Sequence, residues 1–236
     1  SALAPVHIAQ AAIQVVAKGP DWMMVLCADT GTAALQALPT LTAQHGVARL
    51  VVVTPRPKSV ALWLSEQGVE AQTLSLREVL VQGQGTKHRL MDRFRTGSKQ
   101  GQAGCILVAS ASFWEGFDVP GDALQLVVID KLPFPPPDDP LVKARSHRIE
   151  QAGRRAFKDY SLPEAAVALR QGAGRLIRHE SDAGVLVIGD TRLVTKGYGR
   201  QLLAALPSMR PLQSEPEFLE ALDALTRAST MDRSCP

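Results

Sequence analysis

Six short runs rich in valine, isoleucine and leucine alternate along this chain with longer segments of helical periodicity. Such runs are too brief to cross a membrane and too continuous for half-exposed strands, so they read as strands buried on both faces. Their alternation with helices is the pattern of a parallel sheet covered on both sides. The expected strands are residues 23–28, 49–54, 79–82, 105–110, 126–130 and 185–190. The expected helices are 8–18, 32–44, 57–67, 87–95, 140–158, 163–177, 194–205 and 215–227.

The fold class that follows is α/β, a doubly wound, mostly parallel sheet with helices on both faces, RecA-like or Rossmann-like. Turn chemistry agrees. Asp139 before Pro140 has the form of an N-cap with proline at the first helical position, and Ser214-Glu215-Pro216-Glu217 that of a capping box. Residues 228–236 are polar and expected to fray. Pro133-Phe134-Pro135-Pro136-Pro137 should be extended and stiff. One large domain is expected over 1–206, with 207–236 as a C-terminal helix and tail packed on it.

With 45% hydrophobic residues over 236 positions, the chain can bury a substantial core. The net charge of +3 permits a polyanionic partner without demanding one, so where the cations sit matters more than their total. Arg145, Arg148, Arg154, Arg155 and Lys158 form one basic cluster, which reads equally as the face of a long solvated helix. Cys27, Cys105 and Cys235 are far apart and support neither a zinc site nor a disulfide framework. No membrane-length apolar run or signal peptide is visible, so a cytoplasmic protein is expected. The start at Ser1-Ala2-Leu3, without methionine, hints at an excised fragment.

Three segments have residues suited to chemistry. In Gln171-Gly172-Ala173-Gly174-Arg175-Leu176-Ile177-Arg178, spacings of four and three bring an amide and two guanidiniums onto one face of the expected helix. The glycines between them suit close approach of an anion such as a nucleotide phosphate; the plain alternative is a solvated face. After the strand 105–110 come Glu115 and Asp118 around Gly116, where ligands of open parallel sheets bind; the alternative is a capped turn with Phe113, Trp114 and Phe117 in the core. The third, Val81-Gln82-Gly83-Gln84-Gly85-Thr86-Lys87-His88-Arg89, is a glycine-rich turn opening a helix, like a phosphate cradle. It does not match G-x-x-x-x-G-K-[ST], and no Gly-Lys-Ser or Gly-Lys-Thr occurs anywhere.

Ser112-Phe113-Trp114-Glu115-Gly116-Phe117-Asp118-Val119-Pro120-Gly121, then Asp130-Lys131-Leu132-Pro133-Phe134 and Asp138-Asp139-Pro140, then residues 171–178 and Tyr198-Gly199, resemble the C-terminal motor domain of DinG/XPD-type superfamily 2 helicases. The likeness is greatest to the bacterial DinG and YoaA branch, and covers about residues 80–206. Motif IV has two candidates, 23–30 and 50–58.

The resemblance implies an ATP-dependent DNA helicase, 5′-to-3′, whose ATP and Mg2+ sit between this domain and an N-terminal motor domain of the same protein. It casts Arg178 and Arg175 as the motif VI arginines, with Arg178 as the finger, and Gln171 as orienting the nucleotide or its attacking water. Glu115, Gly116 and Asp118 become nucleotide-side residues of motif V. Ser112, Trp114, Arg56, Lys58, Lys87 and Arg89 become contacts to single-stranded DNA. The family's iron–sulfur cysteines belong to the other motor domain, so no metal is expected here. The chain alone should bind ATP weakly and hydrolyse it negligibly.

Two other readings remain. A degenerate RecA-like module would dock a replication or repair partner without nucleotide work. A small dehydrogenase would need a G-x-G-x-x-G, and after Gly83-Gln84-Gly85 position 88 is histidine.

Overall fold

The computed structural model describes residues 49–53, 58, 78–96, 105–110, 113, 124, 126–174, 176, 184–210, 212 and 214–231. Five strands form one sheet: β1 (Arg49–Val53), β2 (Glu78–Val81), β3 (Cys105–Ala109), β4 (Leu126–Ile129) and β5 (Val185–Ile188). The order is β2-β3-β1-β4-β5, and every pair is parallel. The registers are unbroken: Val51, for example, lies between Leu107 and Val127.

Every residue of β3, β4 and β5 is buried. Strand alternation sends Cys105, Leu107 and Ala109 to one face and Ile106 and Val108 to the other, which explains why the sequence shows continuous apolar runs. On the first face the core takes in Leu90, Met91 and Phe94 of α1 (Lys87–Thr96) and Leu162, Ala165, Leu169 and Ala173 of α3 (Leu162–Ala173). The α3 positions recur at helical spacing, so one stripe faces the sheet and the opposite face, with Val167 and Gln171, meets water.

Between β4 and α3 lies α2 (Pro140–Gln151), and after β5 come α4 (Arg192–Thr195), α5 (Gly199–Ala205) and α6 (Glu215–Met231). The Asp139 cap is present: its Oδ1 accepts from the N–H groups of Leu141 at 2.8 Å and Val142 at 3.2 Å. Ser214 Oγ accepts from Glu217 N–H at 3.4 Å at the start of α6.

Four helical expectations are corrected. The expected helix 140–158 stops at Gln151, because Gly153 has φ +72° and allows its N–H to bond Glu150 O while that of Arg154 reaches Ile149 O. Those two bonds are a Schellman ending, which only a residue tolerant of the left-handed region permits cheaply. A five-residue π-helical turn, Phe157–Ser161, then leads directly into α3. The expected helix 163–177 ends at Ala173, with Gly174 as its cap. The expected helix 194–205 divides at the extended Lys196, giving α4 and α5. At the last helix the error is the other way, since α6 continues to Met231 and its buried Phe218, Ala221, Leu222 and Leu225 anchor it. The expected strand 23–28 and helices 8–18 and 32–44 lie outside the described residues, as does helix 57–67 apart from Lys58.

Candidate functional site

Because all five strands run the same way, their carboxyl ends share one edge, where residues 82–85, 110, 130–134 and 189–192 also emerge. The chain leaves β1 toward β2 but leaves β4 toward β5, so the strand order reverses beside β1. Open parallel sheets take their ligands at such a reversal.

Two hydrogen-bonded knots organise this edge. In the first, Gln82 Oε1 accepts from both the backbone N–H of Ser110 at 2.7 Å and its Oγ at 2.9 Å. Gln82 N–H donates to Val108 O at 2.9 Å, so the exits of β2 and β3 are tied together. Lys87 Nζ stands 5.0 Å from the centre of the buried Phe113 ring, a cation–π contact between the same two connections. At the start of α1, Thr86 Oγ1 accepts from Arg89 N–H at 3.3 Å. The helix start read as a phosphate cradle therefore carries a cap of its own.

The second knot centres on Asp190, which is 4% exposed. Its Oδ2 accepts from Leu132 N–H at 2.9 Å and from Arg192 Nη2 at 2.6 Å, and its Oδ1 from Arg192 Nε at 2.9 Å. Burial opposes ionisation of this carboxyl, but the Arg192 guanidinium and the Leu132 and Arg192 N–H groups outweigh it and hold its pKa below the usual carboxylate value. The same pairing raises the pKa of Arg192. Arg192 also lies over Phe134, 5.4 Å from the ring centre. Phe134 in turn meets Phe157 at 5.6 Å and Tyr198 at 5.8 Å, and Phe157 meets Tyr198 at 5.2 Å. Three rings from three connections thus stand beside the exits of β4 and β5.

Of the residues expected to do chemistry, Gln171 is exposed on the last turn of α3, while Arg175 and Arg178 lie outside the described residues. The described helix α3 runs to Ala173, so of this trio Gln171 is the member within it. Ser112, Trp114, Glu115, Gly116, Asp118 and Arg56 also lie outside the described residues. Lys58 is exposed; Lys87 and Arg89 share the first turn of α1, half-buried and exposed respectively.

The sequence reading missed Gln82, Asp190 and Arg192, all within four residues of a strand's carboxyl end. The signal was present: an acid closing an apolar strand, with arginine two positions on, is a natural bidentate pair. Among the described residues no cluster of histidine, cysteine or acid is arranged to hold a metal ion, and no helix is long and apolar enough to cross a membrane.

Residues 47–209 match the family model described as the helicase C-terminal domain. The chain is 49% identical over 144 residues to the ATP-dependent DNA helicase YoaA of Escherichia coli, covering 61% of this chain and 21% of that protein. It is 36% identical over 176 residues to the ATP-dependent helicase DinG of Mycobacterium tuberculosis, covering 72% and 26% respectively. The chain therefore spans about a quarter or less of these curated relatives. An XPD helicase structure superposes with a TM-score of 0.51 at 18% identity, over 77% of this chain and 32% of that one, and so shares the fold. The chain belongs to the C-terminal domain family of DinG/XPD-type helicases.

Proposed function

We propose that this chain is the second, RecA-like motor domain of an ATP-dependent DNA helicase, working 5′-to-3′ on single-stranded DNA. The observation that carries the reading is the family match over 47–209 together with relatives named as ATP-dependent helicases. In this reading 1–206 is the motor unit and 207–236 packs on it, and the P-loop and acidic box come from an N-terminal motor domain of the same protein. ATP with Mg2+ supplies the phosphoryl group transferred to water.

The donor set suits a polyanion: two guanidiniums, Arg175 and Arg178, and the amide of Gln171. Arg178 is the finger that offsets charge on the transferring group, Arg175 holds the phosphates and Gln171 orients water or nucleotide. Glu115, Gly116 and Asp118 serve the nucleotide side of the β3 exit. Ser112, Trp114, Arg56, Lys58, Lys87 and Arg89 meet DNA. The tie between Gln82 and Ser110 supports this reading, because it fixes the start of the segment that carries five of these residues, 112–118, to the neighbouring exit.

Replacing Arg178 by alanine in the full-length protein should lower DNA-stimulated ATP turnover by about a thousandfold or more, with DNA binding retained. Unchanged turnover would refute the finger assignment.

A further inference from the structure

Apart from Phe157, whose ring stands against Phe134 and Tyr198 beside the second knot, the basic segment from Pro140 to Ser161 has no part in the two knots or in the proposed nucleotide chemistry. Six cations, Lys143, Arg145, Arg148, Arg154, Arg155 and Lys158, face the two carboxylates Glu150 and Asp159. That excess of four is larger than the +3 of the entire chain, so the rest of the protein is slightly acidic. The positive charge of this domain is concentrated here.

Packing does not account for it. The helix α2 has no buried residue. Among its contacts, Arg145 reaches the π-helical turn, its guanidinium lying 5.6 Å over the Tyr160 ring and donating to Tyr160 Oη at 3.4 Å. Among the described residues, the side chains of Arg148, Arg155 and Lys158 are exposed and have no partner, while Arg154 is shared with Asp159 at 3.4 Å. Between Arg155 and Lys158 stands Phe157, 47% exposed although its ring is braced by Phe134 and Tyr198. A fixed aromatic ring held in water among unpaired cations matches a strand that presents phosphates and unstacked bases together. An apolar protein surface would instead be left facing three uncompensated cations.

We infer that this surface is a second contact for single-stranded DNA, with Phe157 stacking a base and Arg148, Arg155 and Lys158 holding phosphates. The inference rests on the helicase reading and adds residues that reading does not use. Asp190 sets the position of the surface, since its grip on Arg192 and Leu132 holds Phe134 beneath Phe157.

The test is oligo-dT binding to the full-length protein by fluorescence anisotropy over a range of KCl, together with DNA-stimulated ATPase. The triple variant R148Q/R155Q/K158Q should bind roughly tenfold more weakly and flatten the plot of log affinity against log salt by about two units, since each phosphate contact on a single strand contributes about 0.7. Phe157→Ala should also bind about tenfold more weakly but keep the wild-type slope, and Phe157→Trp should restore binding. If the unaltered protein neither binds oligo-dT nor hydrolyses ATP in response to it, the helicase reading itself fails. If it does both while the triple variant and Phe157→Ala keep wild-type affinity and slope, this surface is off the DNA path and the inference is overturned. A loss in Phe157→Ala that tryptophan does not restore, with a lowered melting temperature, would make Phe157 a packing residue and remove the stacking role.

Discussion

Arg192 grips Asp190 through two nitrogens, Nη2 at 2.6 Å and Nε at 2.9 Å, while the same carboxylate takes the Leu132 N–H at 2.9 Å. One buried acid thereby joins the exits of β4 and β5. The guanidinium is 43% exposed, so solvent screens part of the attraction, and the carboxylate's fixed hydrogen bonds matter more than the charge pair alone.

Asp190→Asn should therefore cost about 1.5–3 kcal/mol, toward the lower end. The sign of its pH dependence follows from the depressed pKa of the folded state. Asp190 contributes its full stabilisation above the unfolded value of about 3.9, and loses it as pH falls through the lower folded value. Thermal melts should show a clear gap between wild type and variant near neutrality that closes in acid. A gap that stays constant down to pH 3 would sink this account.

Gln82→Ala removes the acceptor for both Ser110 contacts. A loss of about 1 kcal/mol is expected, or roughly 2–4 °C in melting temperature. Gln82→Glu keeps an oxygen in place and should recover most of it. If the alanine variant melts like wild type, the link between the β2 and β3 exits is not a structural one.

Gly199 admits no side chain, because a Cβ there would overlap the carbonyl of Leu193. Gly199→Ala must push α5 away from α4, at a cost of about 2–4 kcal/mol. Urea unfolding is the measurement, and an unshifted midpoint would show that the two helices can part freely.

The parallel sheet was legible because strands buried on both faces leave continuous apolar runs, and Val127 or Leu186 has no other plausible place. The expected strands overran in an informative way. Gln82, Ser110, Asp130 and Asp190 close the expected strands, and all four lie just past the observed ones, with three of them building the two knots. Periodicity does not register a polar residue that stops being strand in order to bond sideways. Helix breaks were harder to see, since Gly153 alone marked the end of α2 and a single glycine inside an otherwise helical pattern is often tolerated. The order of the strands was not readable at all, because the pairing of β1 with β3 and β4 depends on residues more than fifty positions away.

That strand order bears on how the protein is made. Among the described strands, β1 and β2 emerge first from a ribosome, yet they are not neighbours and neither can pair until β3 appears. Until then these two described strands wait without the neighbour they share, the interval in which parallel sheets are most exposed to aggregation. Cys105–Ala109 then meets both earlier strands at once. Truncated nascent chains ending before Cys105 should therefore depend on chaperones, and those extending past it should begin to resist protease.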